Sequence, residues 1–435
     1  MTTELSQHIQ VTPLSDTHEH LFKEADYVQE GPDVLADLFG MYIGSELIVA
    51  GASPENVARL LDSSDPDIEA RWAGVQTAWQ LCQYTGYGQA VQHMARLIYG
   101  MDEIKLETIE RAAERNREIR QPGERLRLLR DVANLDHVQV DDFVWACLPD
   151  YSGPEFFLYD LSWADFAGAR FEVAALQTET GIAVVDLESL RTAITALFAK
   201  YGPVAIAVKS QHAYERTLAW EPREDVDAAR ALQHYLSGST LTEAERLCLG
   251  DWCLARGVDL AMEYRLPVKI HTGYLAGQGQ NLVQPDRTRA SHLAPLLAHY
   301  PEAAFVLMHM AYPYSDELIA LAKHFPNTYV DMCWAWSINP RHAAEFVRRA
   351  LHAVPINKLF VFGGDCRWPT ETVGFAAQAR GWLGYALQGE VDEGFLTEAQ
   401  AIQIATRVMQ ENQRAVFDLN GRRSTIREWG QTQSS

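Results

Sequence analysis

In the second half of the chain one unit recurs: an amphipathic helix, a short turn, and a compact apolar run that ends on a polar residue. The runs are PVAIAVKSQ reaching Lys209, LPVKIHTG reaching His271, AAFVLMHM reaching His309, TYVDMCW with Asp331, and KLFVFGGD reaching Asp365. Short β-rich apolar runs separated by helices indicate parallel strands covered on both faces. Three fainter runs precede them, around Ile9 to Asp16, at DHVQVDD (136–142) and at FFLYDLS (156–162), which makes eight. Eight alternations of β and α predict an α/β fold, a (β/α)8 TIM barrel, in which working residues gather at the C-terminal strand ends.

The helices between the strands have readable ends. Asp186 is expected to N-cap DLESLRTAITALFAKYG, whose Leu187, Leu190, Ile194, Leu197 and Phe198 share one face and which stops at Gly202. Thr242 and Glu245 stand at capping-box spacing ahead of a long helix that ends before Pro267, and Ser315 is expected to cap DELIALAKHF. Residues 23–130 do not follow the rhythm. They are helical in character, with i,i+4 charge pairs such as Glu107 and Arg111, and they separate the first two strands. The expected organisation is a barrel built from 1–22 and 131–435 with a helical subdomain, 23–130, inserted after the first strand. That insertion could cover the barrel mouth; the alternatives are that it extends the core or makes the contact of a homo-oligomer.

Composition bounds the function. With 435 residues, 47% hydrophobic and 22% charged, the chain can bury a large core. A formal net charge of -21 opposes binding to nucleic acid or to an anionic membrane surface. The start MTTELSQHIQ has no basic segment followed by an apolar core, and no uninterrupted apolar stretch approaches membrane-span length, so a soluble cytoplasmic protein is expected. The 6 cysteines are scattered without a C-x-x-C pair, which fits reduced thiols and excludes a zinc ribbon.

At the first strand end the chain reads SDTHEHLF. Residues i and i+2 of an extended chain point to the same side, so His18 and His20 can present both imidazoles to one point while Thr17 and Glu19 face away. Two ligands of one metal ion are made this way. In a chain with 14 histidines such a pair also arises without a metal, and the other strand ends have to decide. They supply Lys209 after the fourth strand, His271 after the fifth, His309 after the sixth and Asp365 after the eighth.

From DTHEH through AVKSQHAYERTL, VKIHTGY, VLMHMAYPY and YVDMCWAW to FGGDCRWP, this ordered set resembles the amidohydrolase superfamily. It is most similar to the amidohydrolase-2 branch, which includes the amidohydrolase-like domains fused to glutamine-synthetase-like proteins. The insertion after strand one and the Asp-x-Arg of GGDCRW are also similar to uronate isomerases. The resemblance implies that His18, His20 and Asp365 hold a divalent metal. His271 would complete that site or serve a second ion, and His309 would be a ligand or a hydrogen-bonding catalytic residue. Asp365, His309 and His271 would be the catalytic residues, with Asp365 moving a proton. Lys209 has two readings: a carbamate bridging two metals, which requires a neutral amine, or an unmodified lysine that binds a substrate carboxylate. Imidazole nitrogen favours zinc while the carboxylate also tolerates manganese, with one or two ions.

Arg367, Tyr214, Arg216, Tyr274, Trp334 and Trp336 surround these positions in sequence, and an arginine beside aromatics suits an organic or sugar acid. The expected activity is hydrolysis of a small polar or carboxylate-bearing substrate through metal-activated water. Sugar-acid isomerisation and nonoxidative decarboxylation use the same groups.

Overall fold

The computed structural model describes residues 3–277 and 285–433. Eight parallel strands form the barrel: β1 Leu14–Glu19, β2 Leu135–Val140, β3 in two pieces (Phe157–Tyr159 and Leu161–Ser162), β4 Val208–Ser210, β5 Val268–Ile270, β6 Phe305–Leu307, β7 Thr328–Asp331 and β8 Leu359–Phe360. Every adjacent pair is parallel. At Asp160 the third strand changes partner: its first piece pairs with β2 and its second with β4. The ring closes between the first and last strands, where Thr17 N donates to Phe362 O at 3.1 Å, Asp365 N to His18 O at 3.0 Å and His20 N to Cys366 O at 2.9 Å. Those three bonds set the His-x-His segment beside Asp365. Buried Gly364 sits in this seam, and a Cβ there would lie 2.1 Å from Glu19 Oε1, so the seam tolerates no side chain.

The first strand begins later than its apolar run suggests. Ile9 belongs to a helix, α1 Glu4–Val11, capped by the Thr3 hydroxyl on Ser6 N. Leu5 and Ile9, at i,i+4 spacing, are its buried residues, so the period there is helical and the strand opens at Leu14.

Between β1 and β2 the described chain is helical, its longest element being α2 Gly86–Tyr99. The expected caps hold for α3 Leu187–Tyr201, where Asp186 and Ser189 form a capping box, and for α4 Glu243–Glu263, where Thr242 and Glu245 do. Ser315 is instead the first residue of its helix, Ser315–His324, and its hydroxyl meets His342 Nε2 at 3.0 Å. The long helix α5 Pro369–Asp392 follows β8 and packs on α2 through Gly374, where a Cβ would come within 2.7 Å of Ala90 O. This contact ties the helical segment to the barrel. Inside the barrel a buried Lys269–Asp160 pair at 2.5 Å, with Lys269 also donating to Thr17 O at 2.7 Å and Gln139 Oε1 at 3.1 Å, supplies a polar centre to the core. Among the described residues no helix is long and apolar enough to cross a membrane.

Candidate metal centre

Left-handed backbone marks the mouth of the barrel. Among the described residues, ten non-glycine residues have positive φ, and six of these stand just beyond the ends of β2, β6, β7 and β8: Phe143, His309, Met310, Ala311, Trp334 and Asp365. Side chains disfavour this region, and residues held in it cluster where geometry is over-determined by function. Asp365, at φ 60, is turned so that its Oδ1 lies 3.3 Å from Nε2 of both His18 and His20.

The protons on these rings can be assigned from their partners. A carbonyl can only accept, so the 2.6 Å contact of His20 Nδ1 with Asp141 O puts the proton on Nδ1. Burial is the largest influence on His20 and lowers its pKa, partly offset by Asp365 and Asp141. A neutral His20 therefore turns a lone pair on Nε2 toward a carboxylate oxygen. Two acceptors face each other at 3.3 Å, and an electrophile between them removes the conflict.

The same holds for the neighbouring ring. His309 Nδ1 donates to Cys333 O at 3.1 Å, leaving Nε2 buried with no partner among the described residues. Burial, followed by His271, holds His309 well below the ordinary histidine value, and burial with Lys209 does so for His18. His271 donates Nε2–H to Tyr274 O at 2.8 Å, packs on His309 with ring centroids 4.2 Å apart, and is lowered to about 3 by burial and then by Lys209. For Asp365 burial alone would raise the carboxyl, but His309, His20, Lys209 and His271 together hold it below its ordinary value. Neutral imidazoles around an ionised carboxylate are the donor set a divalent ion requires.

His18, His20 and Asp365 present one ligand atom each within 4.8 Å of one another. His309, Cys333 and Asp365 make a second such group. Its thiol is pushed well above the ordinary cysteine value by burial and by the carboxylates of Asp365, Asp331, Asp16 and Glu19, so Cys333 is the weaker donor. Lys209 is fully buried, with Nζ 3.3 Å from Gln211 Oε1 and 4.0 Å from Asp141 Oδ2. A carbamate at this position would set a second anion beside Asp141, whereas an ammonium complements it.

A cavity of about 570 Å³ opens onto His20, His271 and Asp365. Arg367 and Tyr214 line it, as the sequence suggested. Arg367 is exposed at the cavity wall, where its charge lowers the Glu371 carboxyl, and among the described residues it makes no ion pair within 4.0 Å. Tyr274 contributes its carbonyl to His271 and does not line the cavity; Trp334 is fully buried against His309, with ring centroids 5.5 Å apart. Four of the six residues expected to bind substrate, Arg216 and Trp336 as well as Tyr274 and Trp334, do not line the cavity. Arg216 is buried in an ion pair with Asp251 at 2.6 Å, and Trp336 spends its indole N–H on Val361 O at 2.6 Å, so neither reaches the cavity.

Other wall residues carried little sequence signal. Gly40, Met41, Tyr42 and Ser45 come from the segment between β1 and β2. The Tyr42 hydroxyl donates to Asp365 O at 2.7 Å, and its ring packs on Trp334 at 4.4 Å. Asp141 and Phe143 flank His20; the doubled aspartate in QVDDF hinted at a polar strand end without indicating which atom would matter. Across the cavity Arg170 is paired with Asp165 and Glu215 at 3.1 and 3.2 Å.

Comparison with known proteins supplies a family and a fold. Residues 158–423 match the family profile Amidohydro_2, described as amidohydrolase. A 232-residue stretch is 29% identical to Protein fluG of Emericella nidulans, covering 50% of this chain and 26% of that protein, so the chain spans about a quarter of its relative. The fold superposes on the uronate isomerase of Thermotoga maritima with a TM-score of 0.77 at 16% identity, covering 95% and 96% of the two chains. The glucuronate isomerase of Caulobacter crescentus gives 0.77 at 16% identity, covering 95% and 93%. A candidate metal-dependent hydrolase from Lactobacillus casei gives 0.66 at 14%, covering 97% and 99%. At these identities the structural matches speak to the fold.

Proposed function

The chain belongs to the amidohydrolase family, matched over more than half its length, and from that premise we propose that it is a metal-dependent hydrolase of a small, carboxylate-bearing substrate. The observation that carries the proposal is the convergence of the His20 Nε2 lone pair and the Asp365 carboxylate at 3.3 Å, a contact that a cation relieves. His18, His20 and Asp365 would hold the ion, with His309 Nε2 and the His271 ring beside it. A divalent ion bound there, zinc or manganese, lowers the pKa of water toward about 7 and polarises a carbonyl.

The remaining work falls to the chain's own residues. The Asp365 carboxylate, held below its ordinary value, accepts a proton at its second oxygen and returns it to the leaving group. Arg367, two residues on and unpaired, binds the substrate carboxylate as a fork. Tyr42 and Met41 close the side of the cavity nearest the helical segment and restrict water. Lys209, held by Gln211 and Asp141, would stand beside the site as an unmodified amine.

A second reading, sugar-acid isomerisation, is favoured by the unpaired Arg367 in Asp-x-Arg and by superposition on two isomerases over 95% of this chain. Assays in deuterated water with N-acyl amino acids and with uronic acids separate the two. Release of an amine or acid supports the hydrolase; deuterium incorporated at carbon without cleavage replaces it with the isomerase.

A further inference from the structure

We infer that the turn at Asp141–Phe143, just beyond β2, is a clamp that fixes the His20 imidazole for metal binding, with Phe143 as a positioning residue. The inference rests on the metal-centre reading and adds a residue to it.

Three features meet at this turn. The Asp141 carbonyl takes the Nδ1 proton of His20 at 2.6 Å, which sets the tautomer and leaves Nε2 as the donor atom. The Phe143 ring lies flat against the imidazole, with centroids 4.2 Å apart and planes at 9°; it is the only ring contact of Phe143 among the described residues. To reach that position Phe143 adopts φ 65, a value bulky side chains rarely take, with its N–H tied to Asp141 Oδ1 at 3.1 Å.

Phe143 is 51% exposed, so burial in a core does not account for the strained backbone. What the strain secures is the stack on His20. The His20 ring also meets the His18 ring in a T-shaped contact, with centroids 4.6 Å apart and planes at 81°. Held at Nδ1 by the Asp141 carbonyl, stacked on Phe143 and packed against His18, the imidazole has a single orientation, and Nε2 lies 3.3 Å from Asp365 Oδ1 before any ion arrives. Fixing a ligand in advance removes the ordering cost from metal binding.

The test uses the full chain and Zn²⁺ alone, with affinity measured by competition against a chromophoric chelator. Nitrogen-15 NMR of the metal-free protein reads the His20 tautomer. Phe143→Ala and Phe143→Gly should each weaken Zn²⁺ binding by about tenfold or more, the usual effect of losing a group that orients a ligand, while Phe143→Tyr stays within about twofold. The glycine variant accepts φ 65 without strain, so its melting temperature should equal or exceed that of the parent even as affinity falls. In Phe143→Ala the single Nδ1–H tautomer should give way to a mixture. Parental zinc affinity in the alanine and glycine variants overturns the clamp, as does a loss in Phe143→Tyr equal to that in Phe143→Ala. If the parent itself takes up no zinc, the metal-centre reading fails, and an unchanged tautomer in Phe143→Ala then overturns the clamp on its own.

Discussion

Replacing Arg216 by methionine removes a fully buried guanidinium that lies 2.6 Å from the equally buried carboxylate of Asp251. Breaking such a pair costs about 3–5 kcal/mol, because one charge is left without its partner. Arg223 still reaches Asp251 at 2.8 Å, which puts the loss at the lower end, about 3 kcal/mol. An unfolding entropy of about 2.1 cal/mol/K per residue over 435 residues amounts to about 0.9 kcal/mol/K, so the melting midpoint should fall by about 3 °C. The deficit should depend on pH. Burial raises the Asp251 carboxyl and Arg216 opposes it; without Arg216 the folded-state value climbs further. The folded variant then keeps a proton that the unfolded chain has released, so its stability is greatest below the ordinary carboxylate range and declines as pH rises through the folded-state value. Thermal unfolding at about pH 5 and about pH 8 should show the larger deficit at the higher pH. Substrate KM should be unmoved, in contrast to Arg367→Met, which leaves the midpoint alone and raises KM. A parental midpoint in Arg216→Met together with a raised KM would refute the structural assignment of Arg216.

Asp365→Asn should keep the fold and much of the bound metal while turnover falls by about 10²-fold, the scale of lost proton transfer, as measured by steady-state kinetics on the true substrate. Burial pushes the Glu371 carboxyl up to about 8, so its contribution to stability is present below the ordinary carboxylate range and lost as pH rises through about 8. Glu371→Gln should flatten that part of the pH dependence in urea unfolding. Gly374→Ala should destabilise by about 1–3 kcal/mol through overpacking, because its Cβ meets Ala90 O at 2.7 Å and Met94 Cβ at 3.0 Å; a variant as stable as the parent would mean that α2 and α5 separate easily.

The strand ends were legible because a barrel strand repeats a simple pattern, an apolar run followed by its working residue. His18, His20, His271, His309, Lys209 and Asp365 all emerge from that pattern and meet at one mouth. What stayed hidden depends on distance in three dimensions. Arg216 and Arg367 look alike beside aromatics in sequence, and only the position of Asp251, 35 residues from Arg216, commits one of them to the core. Trp336 is two residues from Trp334, yet its indole turns to Val361 O. Tyr42 lies in a helical segment without a motif, and its 2.7 Å bond to Asp365 O spans 323 residues of chain. Phe143 owes its place to a backbone angle that no residue preference announces. At the N-terminus the apolar run has a helical rather than a strand period, since Leu5 and Ile9 satisfy a helix and the strand pattern begins only at Leu14.

The central claim is that His18, His20 and Asp365 hold a divalent ion. Anomalous diffraction from zinc-loaded crystals tests it most directly. The account predicts a peak about 2.0–2.2 Å from a nitrogen of each histidine and from an Asp365 oxygen, absent in the His18→Ala, His20→Ala double variant. A zinc peak elsewhere with none at this cluster, or an unchanged peak in the double variant, would contradict it.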